Sequence, residues 1–267
     1  ISSPRNQYLQ DFLNFDELQY LDLVLNNNCN LECVMCSPAY SFKLNDLYQE
    51  TSPHEVMASW KIDLEKLKNL DLSGISVINI IGGEPLLSKD AYRFLQEHIQ
   101  KFKLKKLRII SNFTHLPDHW KDIFSQVEKI ELIASIDATD KVYEFIRYGA
   151  TFTQVKEVLT KLKSWNLSHL FLRQHVVLMG LNFPYLREIL AFHEEFFSTP
   201  SHRMPIFLEI SSPQVLHPRV LPTPQWEEAK TNAIAAVREL QKKYGERSEF
   251  SDFLKLIDKM EKIEERL

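Results

Sequence analysis

Three cysteines, Cys29, Cys33 and Cys36, fall within eight residues, and no other position carries one. The segment Asn28-Cys29-Asn30-Leu31-Glu32-Cys33-Val34-Met35-Cys36 has the spacing CxxxCxxC. Three thiolates can hold three irons of a [4Fe–4S] cluster and leave the fourth open. Two other readings compete: a zinc site, and three ordinary buried thiols. Structural zinc takes four closed ligands, and no fourth Cys exists; His54 is a candidate but distant in sequence. Inert thiols have no reason to cluster. A second pattern is Gly82-Gly83-Glu84-Pro85. A glycine pair lets the backbone approach a ligand closely, and the Glu84 carboxylate beside it can pair with an ammonium group.

These residues need elements to hold them. Tyr20 to Leu25 (YLDLVL) reads as a strand that ends at Asn26-Asn27-Asn28, so the cysteines follow it directly. Leu64, Leu67 and Leu70 suit one face of a helix over Glu55 to Leu70, which Gly74 ends. Ile75 to Ile81 (ISVINII) is a buried strand, and GGEP follows it. Ser88 is a good N-cap for a helix with Ala91, Leu95, Ile99 and Phe102 on one stripe. Strands are expected at Leu107–Ile110, Ile130–Ile136, Leu170–Met179 and Ile206–Ile210. Helices are expected near Trp120, over Phe152–Leu162 and over Phe183–Phe196. This makes six rounds of strand and helix, an α/β pattern with crossovers long enough for parallel pairing. Ligand sites in such sheets lie at the C-terminal ends of the strands, which is where both motifs fall.

After the sixth strand the rhythm stops. Residues 212–225 hold four prolines and read as an extended loop. Helical patterns follow at about 225–244 and 249–260, with Phe250, Phe253, Leu254 and Ile257 on one stripe. Glu261–Leu267 is mostly charged and reads as a solvated end. Residues 1–18 read as a lead-in, 19–211 as the α/β unit, and 212–267 as loop and helices packed against it.

The chain has 267 residues, 44% hydrophobic and 25% charged, which suits a soluble globular protein rather than a disordered one. A net charge of −4 argues against a large nucleic-acid footprint, which needs a basic surface. No apolar run approaches the roughly 20 residues that span a bilayer. Ile1-Ser2-Ser3-Pro4 has neither a basic n-region nor an apolar h-region, so no signal peptide is expected. Clustered thiols without a secretion signal point to a reducing, cytoplasmic setting.

Taken together, CxxxCxxC after the first strand and GGEP after the second resemble the radical S-adenosylmethionine (SAM) enzymes. The resemblance covers about residues 19–211. It implies a partial (β/α)6 TIM-like barrel, here with a helical C-terminal extension. It also implies a [4Fe–4S] cluster on Cys29, Cys33 and Cys36 whose open iron chelates SAM. Gly82, Gly83 and Glu84 would help hold the SAM amino group, and Met35 would pack near the adenine. Ser135-Ile136-Asp137, followed by Tyr143-Glu144-Phe145-Ile146-Arg147, is similar to the SID…YExIR pattern of the SPASM/twitch branch. That likeness implies that Ser135 contacts the SAM ribose and Arg147 the SAM carboxylate, a task suited to a bidentate guanidinium. Members of that branch carry further cysteines for auxiliary clusters, and this chain has none.

The activity implied is reductive cleavage of SAM to methionine and a 5′-deoxyadenosyl radical, which abstracts hydrogen from a substrate. A ribosomally made peptide is one candidate substrate; a small sugar, cyclitol or nucleotide is the alternative. A non-catalytic iron–sulfur module is a third reading that leaves GGEP, Ser135 and Arg147 without a purpose. A flavodoxin or ferredoxin is the electron donor implied. Weaker signals are Ser111 and Asn112, which end the third strand where a ribose or substrate contact fits. Arg173 and His175 share one face of the fifth strand and Gln174 takes the other. Glu209 on the sixth strand is placed similarly. Tyr40 and Phe42 are candidates to wall the cofactor, and His115 and His119 flank a proline without ligand geometry.

Overall fold

Six short apolar segments pair in the order in which they occur in the chain. The computed structural model describes residues 19–64, 66, 72–101, 104–210 and 212–261. Strands β1 (Tyr20–Val24), β2 (Val77–Ile81), β3 (Lys106–Ser111), β4 (Lys129–Ser135), β5 (Leu170–Leu178) and β6 (Ile206–Glu209) form one sheet in the order β1 to β6. Every neighbouring pair is parallel. The architecture is a partial TIM-like barrel. Alternation sets its two faces. Ile78, Ile80, Leu107, Ile109, Ile130 and Leu132 are fully buried against the helical layer.

The helices are α1 (Asn45–Thr51), α2 (Lys89–His98), α3 (Trp120–Phe124), α4 (Asp140–Ile146), α5 (Phe152–Ser164), α6 (Leu186–Phe196), α7 (Thr223–Tyr244) and α8 (Ser248–Glu261). Local chemistry starts them where expected. The Ser88 hydroxyl accepts from the Ala91 N–H to cap α2. Thr151 and Gln154 form a reciprocal capping box on α5, which satisfies two donors the first turn otherwise orphans. The lead-in over 1–18, Leu67 and Leu70, Phe102 of the expected α2 stripe, and the charged end over 262–267 lie outside the described residues.

The helix expected from Glu55 is not present over Val56–Ile62, which is irregular and extended. The cause is competition from tertiary hydrogen bonds. Buried Asn27 donates to the carbonyls of Pro38 and Ala58 and accepts from the Trp60 N–H. Lys61 then forms a bridge with Asn26. These bonds fix the segment as a strap across the cysteine loop, and helix propensity is the weaker force.

Two apolar cores result. The larger joins β1 to β4 with α2, α3 and α5. The second joins Val176 and Leu178 of β5 and residues of α6 to α7 and α8, with Trp226, Phe250, Phe253 and Ile257 almost fully buried. The proline-rich stretch is shorter than the reading of 212–225: α7 begins at Thr223, after two short 3₁₀ turns at Gln214–Leu216 and Pro218–Val220. Among the described residues no helix is long and apolar enough to cross a membrane.

Candidate active site

One cavity of about 860 Å³ opens at the C-terminal ends of the strands. That is within the usual size range of small-molecule sites. All ten residues singled out for cofactor or metal binding line it: Cys29, Cys33, Cys36, Met35, Gly82, Gly83, Glu84, Asn112, Ser135 and Arg147. Tyr40 lines it too, as do Ser212 and Pro213 from the stretch after β6. Phe42 is not among the lining residues; it is largely exposed.

The cysteine loop is fixed on two sides. The Glu84 N–H donates to the Asn28 carbonyl at 3.0 Å, and the Glu32 and Val34 N–H groups donate to Tyr148 and Ile146 near the end of α4. Gly83 sits at φ +54 under this loop, and a Cβ there would lie 2.2 Å from the Asn28 oxygen. Only glycine fits that contact.

The three thiols are free, with Cys33 buried and the other two half-buried. Burial raises the pKa of all three, Cys33 to about 12. Such thiols stay protonated until a cation displaces the proton. Asn112 Nδ2 lies 3.7 Å from Cys29 Sγ, and Arg147 Nη1 lies 3.8 Å from Cys33 Sγ. Among the described residues no three Cys, His, Asp or Glu side chains converge on a site for one metal ion. Three thiols on one loop are the donor set that three irons of a [4Fe–4S] cluster take, so these residues fit one.

Glu84 is held by donors of the protein itself. Its carboxylate accepts from the Leu86 N–H (3.0 Å) and the Ser111 hydroxyl (2.7 Å) on one oxygen, and from the Asn112 N–H (2.7 Å) on the other. It is 3% exposed. Burial pushes its pKa up against those donors. Glu84 thus ties the turn after β2 to the end of β3 while lining the cavity. Ser111 is consumed in the same joint. Asn112 accepts from both the Thr114 N–H and hydroxyl and donates to Asn30, and Phe113 follows at φ +58 to make the turn.

Arg147 is held by a partner that the sequence reading did not assign. Its Nε and Nη2 both contact Asp137 Oδ2, at 2.7 and 2.6 Å. Asp137 is wholly buried and also accepts from the Val177 N–H at 2.7 Å. Burial disfavours the guanidinium charge and Asp137 more than restores it. The SID pattern already contained Asp137, and a buried guanidinium needs a carboxylate; that was the available signal. Ser135 has a half-buried hydroxyl with no hydrogen-bond partner among the described residues.

The weaker candidates separate. His175 is the register partner of Ser135. Its ring is half-buried, and burial, with Arg173 and Arg108, pushes its pKa down to about 4. Gln174 is buried on the opposite face, donating to the Ile136 carbonyl. Glu209 does not face the interior: it pairs with Lys259 of α8 and lies 3.5 Å from His217, because alternation on β6 turns it outward with Phe207, which packs on Phe253. His119 stacks on Tyr92, and His115 contacts Thr114.

A parallel βα sheet with three free thiols beyond its first strand and a glycine turn beyond its second defines a class of cofactor-dependent enzyme. The sequence pattern of the Radical SAM superfamily matches residues 23–193, and the chain belongs to that superfamily. Enzymes of this superfamily use a [4Fe–4S] cluster and SAM. GTP 3′,8-cyclase of Peptoclostridium acidaminophilum is 23% identical over 178 residues, covering 65% of this chain and 51% of that protein. GTP 3′,8-cyclase of Thermodesulfovibrio yellowstonii is 28% identical over 125 residues, or 46% and 36%. The chain spans about half the length of the first of these relatives and less of the second. Among solved structures, native anSMEcpe with bound AdoMet superposes with a TM-score of 0.62 at 17% identity, covering 86% of this chain and 63% of that one. SuiB of Streptococcus suis bound to precursor peptide SuiA gives 0.50 at 15% identity, covering 75% and 44%. These likenesses are of fold.

Proposed function

We propose that this chain cleaves SAM reductively in the cavity above the sheet and abstracts hydrogen from a substrate seated in the barrel interior below it. The observation that supports this most is that ten residues chosen for cofactor contacts line one cavity. Cys29, Cys33 and Cys36 would hold the cluster, and the absence of a fourth cysteine leaves one iron for SAM. When bound, these groups supply one-electron reduction of a sulfonium and a carbon radical that removes hydrogen.

The protein's own part is orientation. The glycine turn brings backbone against the cysteine loop. Arg147, positioned by Asp137, offers its remaining guanidinium N–H edge to a carboxylate. Ser135 offers an unpartnered hydroxyl to a sugar. Met35 supplies apolar surface on the wall. Glu84 keeps the β2 and β3 ends together so that these groups stay in register.

Each substrate class raised by the sequence has a counterpart among the relatives. The SuiB structure holds a precursor peptide, and the GTP 3′,8-cyclases are named for a nucleotide. The polar residues that share one face of β1 to β4, Asp22, Asn79, Arg108 and Glu131, support the small-molecule class here. The test is anaerobic reconstitution with iron and sulfide, followed by SAM and dithionite. About four irons per chain and release of 5′-deoxyadenosine are expected, and Cys29→Ala, Cys33→Ala and Cys36→Ala should each lose the iron. Stoichiometric zinc without iron would overturn the proposal. Mass changes in candidate peptides, set against turnover of nucleotides, decide between the substrate classes.

A further inference from the structure

The inner face of the sheet carries a belt of polar side chains at one level. Asp22, Asn79, Arg108 and Glu131 are successive register partners across β1 to β4. Their side of each strand is the inner one: Ile81, Ile110 and Ser135, at even spacings from Asn79, Arg108 and Glu131, line the cavity. Two residues of parallel strand rise about 7 Å, so the belt lies just beneath the cavity floor. A closed barrel of this kind fills its interior with branched apolar side chains. Here the interior holds ions instead.

The charges in the belt do not balance. Lys106, Arg108 and Arg173 all converge on Glu131, with Arg108 Nε at 2.9 Å and Arg173 Nη1 at 3.4 Å. Burial raises the Glu131 pKa, but Lys106 and Arg108 overcome this and hold it at about 2, so it is ionised. Two carboxylates, Glu131 and Asp22, against three cations leave one positive charge; Asp22 accepts from the Asn79 amide at 2.7 Å. The Arg108 and Arg173 side chains remain 35% and 31% exposed, and each keeps guanidinium N–H groups that no described residue accepts. Asn79 Oδ1 is buried without any partner. His175 lies at the level of Ser135, two residues above Arg173, with no hydrogen-bond partner among the described residues. These are unspent donors and an unspent, enclosed acceptor on the inner face of the sheet, and Arg173 also lines a cavity of about 370 Å³ beside Phe171 and Phe197.

We infer that the belt is the substrate-recognition layer, and that the substrate carries an anionic group, phosphate or carboxylate, gripped by Arg108 and Arg173. The inference rests on the radical SAM reading for what happens above the belt. The anion would anchor the far end of the substrate, leaving its reacting carbon beside Ser135 and His175, about 7 Å or more higher. Guanidinium pairs suit both oxyanions because they present forked donors. Glu131 orients the two arginines and takes no part in binding the anion.

The test is titration of the full-length protein with inorganic pyrophosphate and, separately, with succinate, by calorimetry at low salt, before and after cluster reconstitution. Arg173→Gln is the first variant, because Lys106 and Arg108 still neutralise Glu131 when it is gone. Arg108→Gln is the second, Arg173→Lys restores charge, and Lys156→Gln on an exposed face is the control. Wild type should bind at least one of the two anions. Either glutamine variant should weaken that binding about tenfold or more, while Arg173→Lys keeps most of it and Lys156→Gln all of it. Pyrophosphate alone identifies a phosphate-bearing substrate, and succinate alone a carboxylate-bearing one. No binding by folded wild type, or equal loss in Lys156→Gln and Arg173→Gln, overturns the inference. Because binding is read without SAM, arginine-dependent binding in a protein that never yields 5′-deoxyadenosine would sink the radical reading and leave this one standing.

Discussion

Replacing Gly83 with alanine asks directly whether the glycine turn and the cysteine loop form one unit. The backbone at Gly83 has φ +54, and the added Cβ would fall 2.2 Å from the Asn28 oxygen and 2.6 Å from Asn26 Oδ1. Carbon and a carbonyl oxygen rest at about 3.3–3.6 Å, so the Asn28 carbonyl must retreat by about 1 Å. That carbonyl also accepts from the Glu84 N–H and immediately precedes Cys29. Left-handed backbone costs alanine about 1–2 kcal/mol, and overpacking about 1–3 kcal/mol. The sum is roughly 2–5 kcal/mol, or a melting point lower by about 4–20 °C at this size. Scanning fluorimetry of the iron-free protein measures the first effect, and iron content after anaerobic reconstitution the second. Gly180→Ala is the control, since its Cβ meets nothing closer than 3.5 Å and its φ is ordinary. If Gly83→Ala melts within about 2 °C of wild type and still takes up a full complement of iron, the two loops are not mechanically coupled and the reasoning fails.

Asp137→Ala should leave the buried Arg147 guanidinium unpaired and cost about 3–5 kcal/mol; chemical denaturation measures it, and an unchanged midpoint would show that Arg147 has another partner. His193 is buried, and burial lowers its pKa to about 3 from the usual 6.5. Only the unfolded chain takes up that proton as pH falls from about 6.5 toward 3, so the protein should lose stability across this window. His193→Gln should flatten the loss in urea midpoints measured from pH 7 to 4, and a parallel curve would refute the assignment. Truncation after Pro222 removes α7 and α8 from the second core, and should give insoluble or molten protein by dye binding and near-ultraviolet dichroism. A soluble monomer that still cleaves SAM would make the tail an appendage.

All six strands were legible because each is a run of branched or apolar residues bounded by a turn former. Ser88 marked a helix start through a local hydrogen bond, whereas the Thr151 cap emerged only in the structure. The residues expected to meet a cofactor line one cavity because loops after parallel strands converge on one end of the sheet. What escaped was set by contacts distant in sequence. Asn27 reaches Ala58 and Trp60 and keeps Val56–Ile62 out of a helix. Glu84 accepts from Ser111, Leu86 and Asn112, contacts that a motif of four letters does not reveal. Glu209 turns outward because a four-residue strand gives little alternation to read. Arg173 and His175 were flagged as interrupting an apolar strand, but their face was settled only when register set Ser135 beside His175 and Ile133 beside Arg173.

The sequential strand order carries a consequence for biosynthesis. Because β1 to β6 are neighbours in the order they leave the ribosome, each new strand finds its partner already made. The outer surface of β5 is the exception. Val176 and Leu178 share a core with Trp226, about fifty residues later, which at about 5–20 residues per second takes roughly 3–10 s to be translated. During that interval a nearly finished sheet presents bare aliphatic side chains on its back, so the nascent chain calls for chaperone shielding late in its synthesis rather than early.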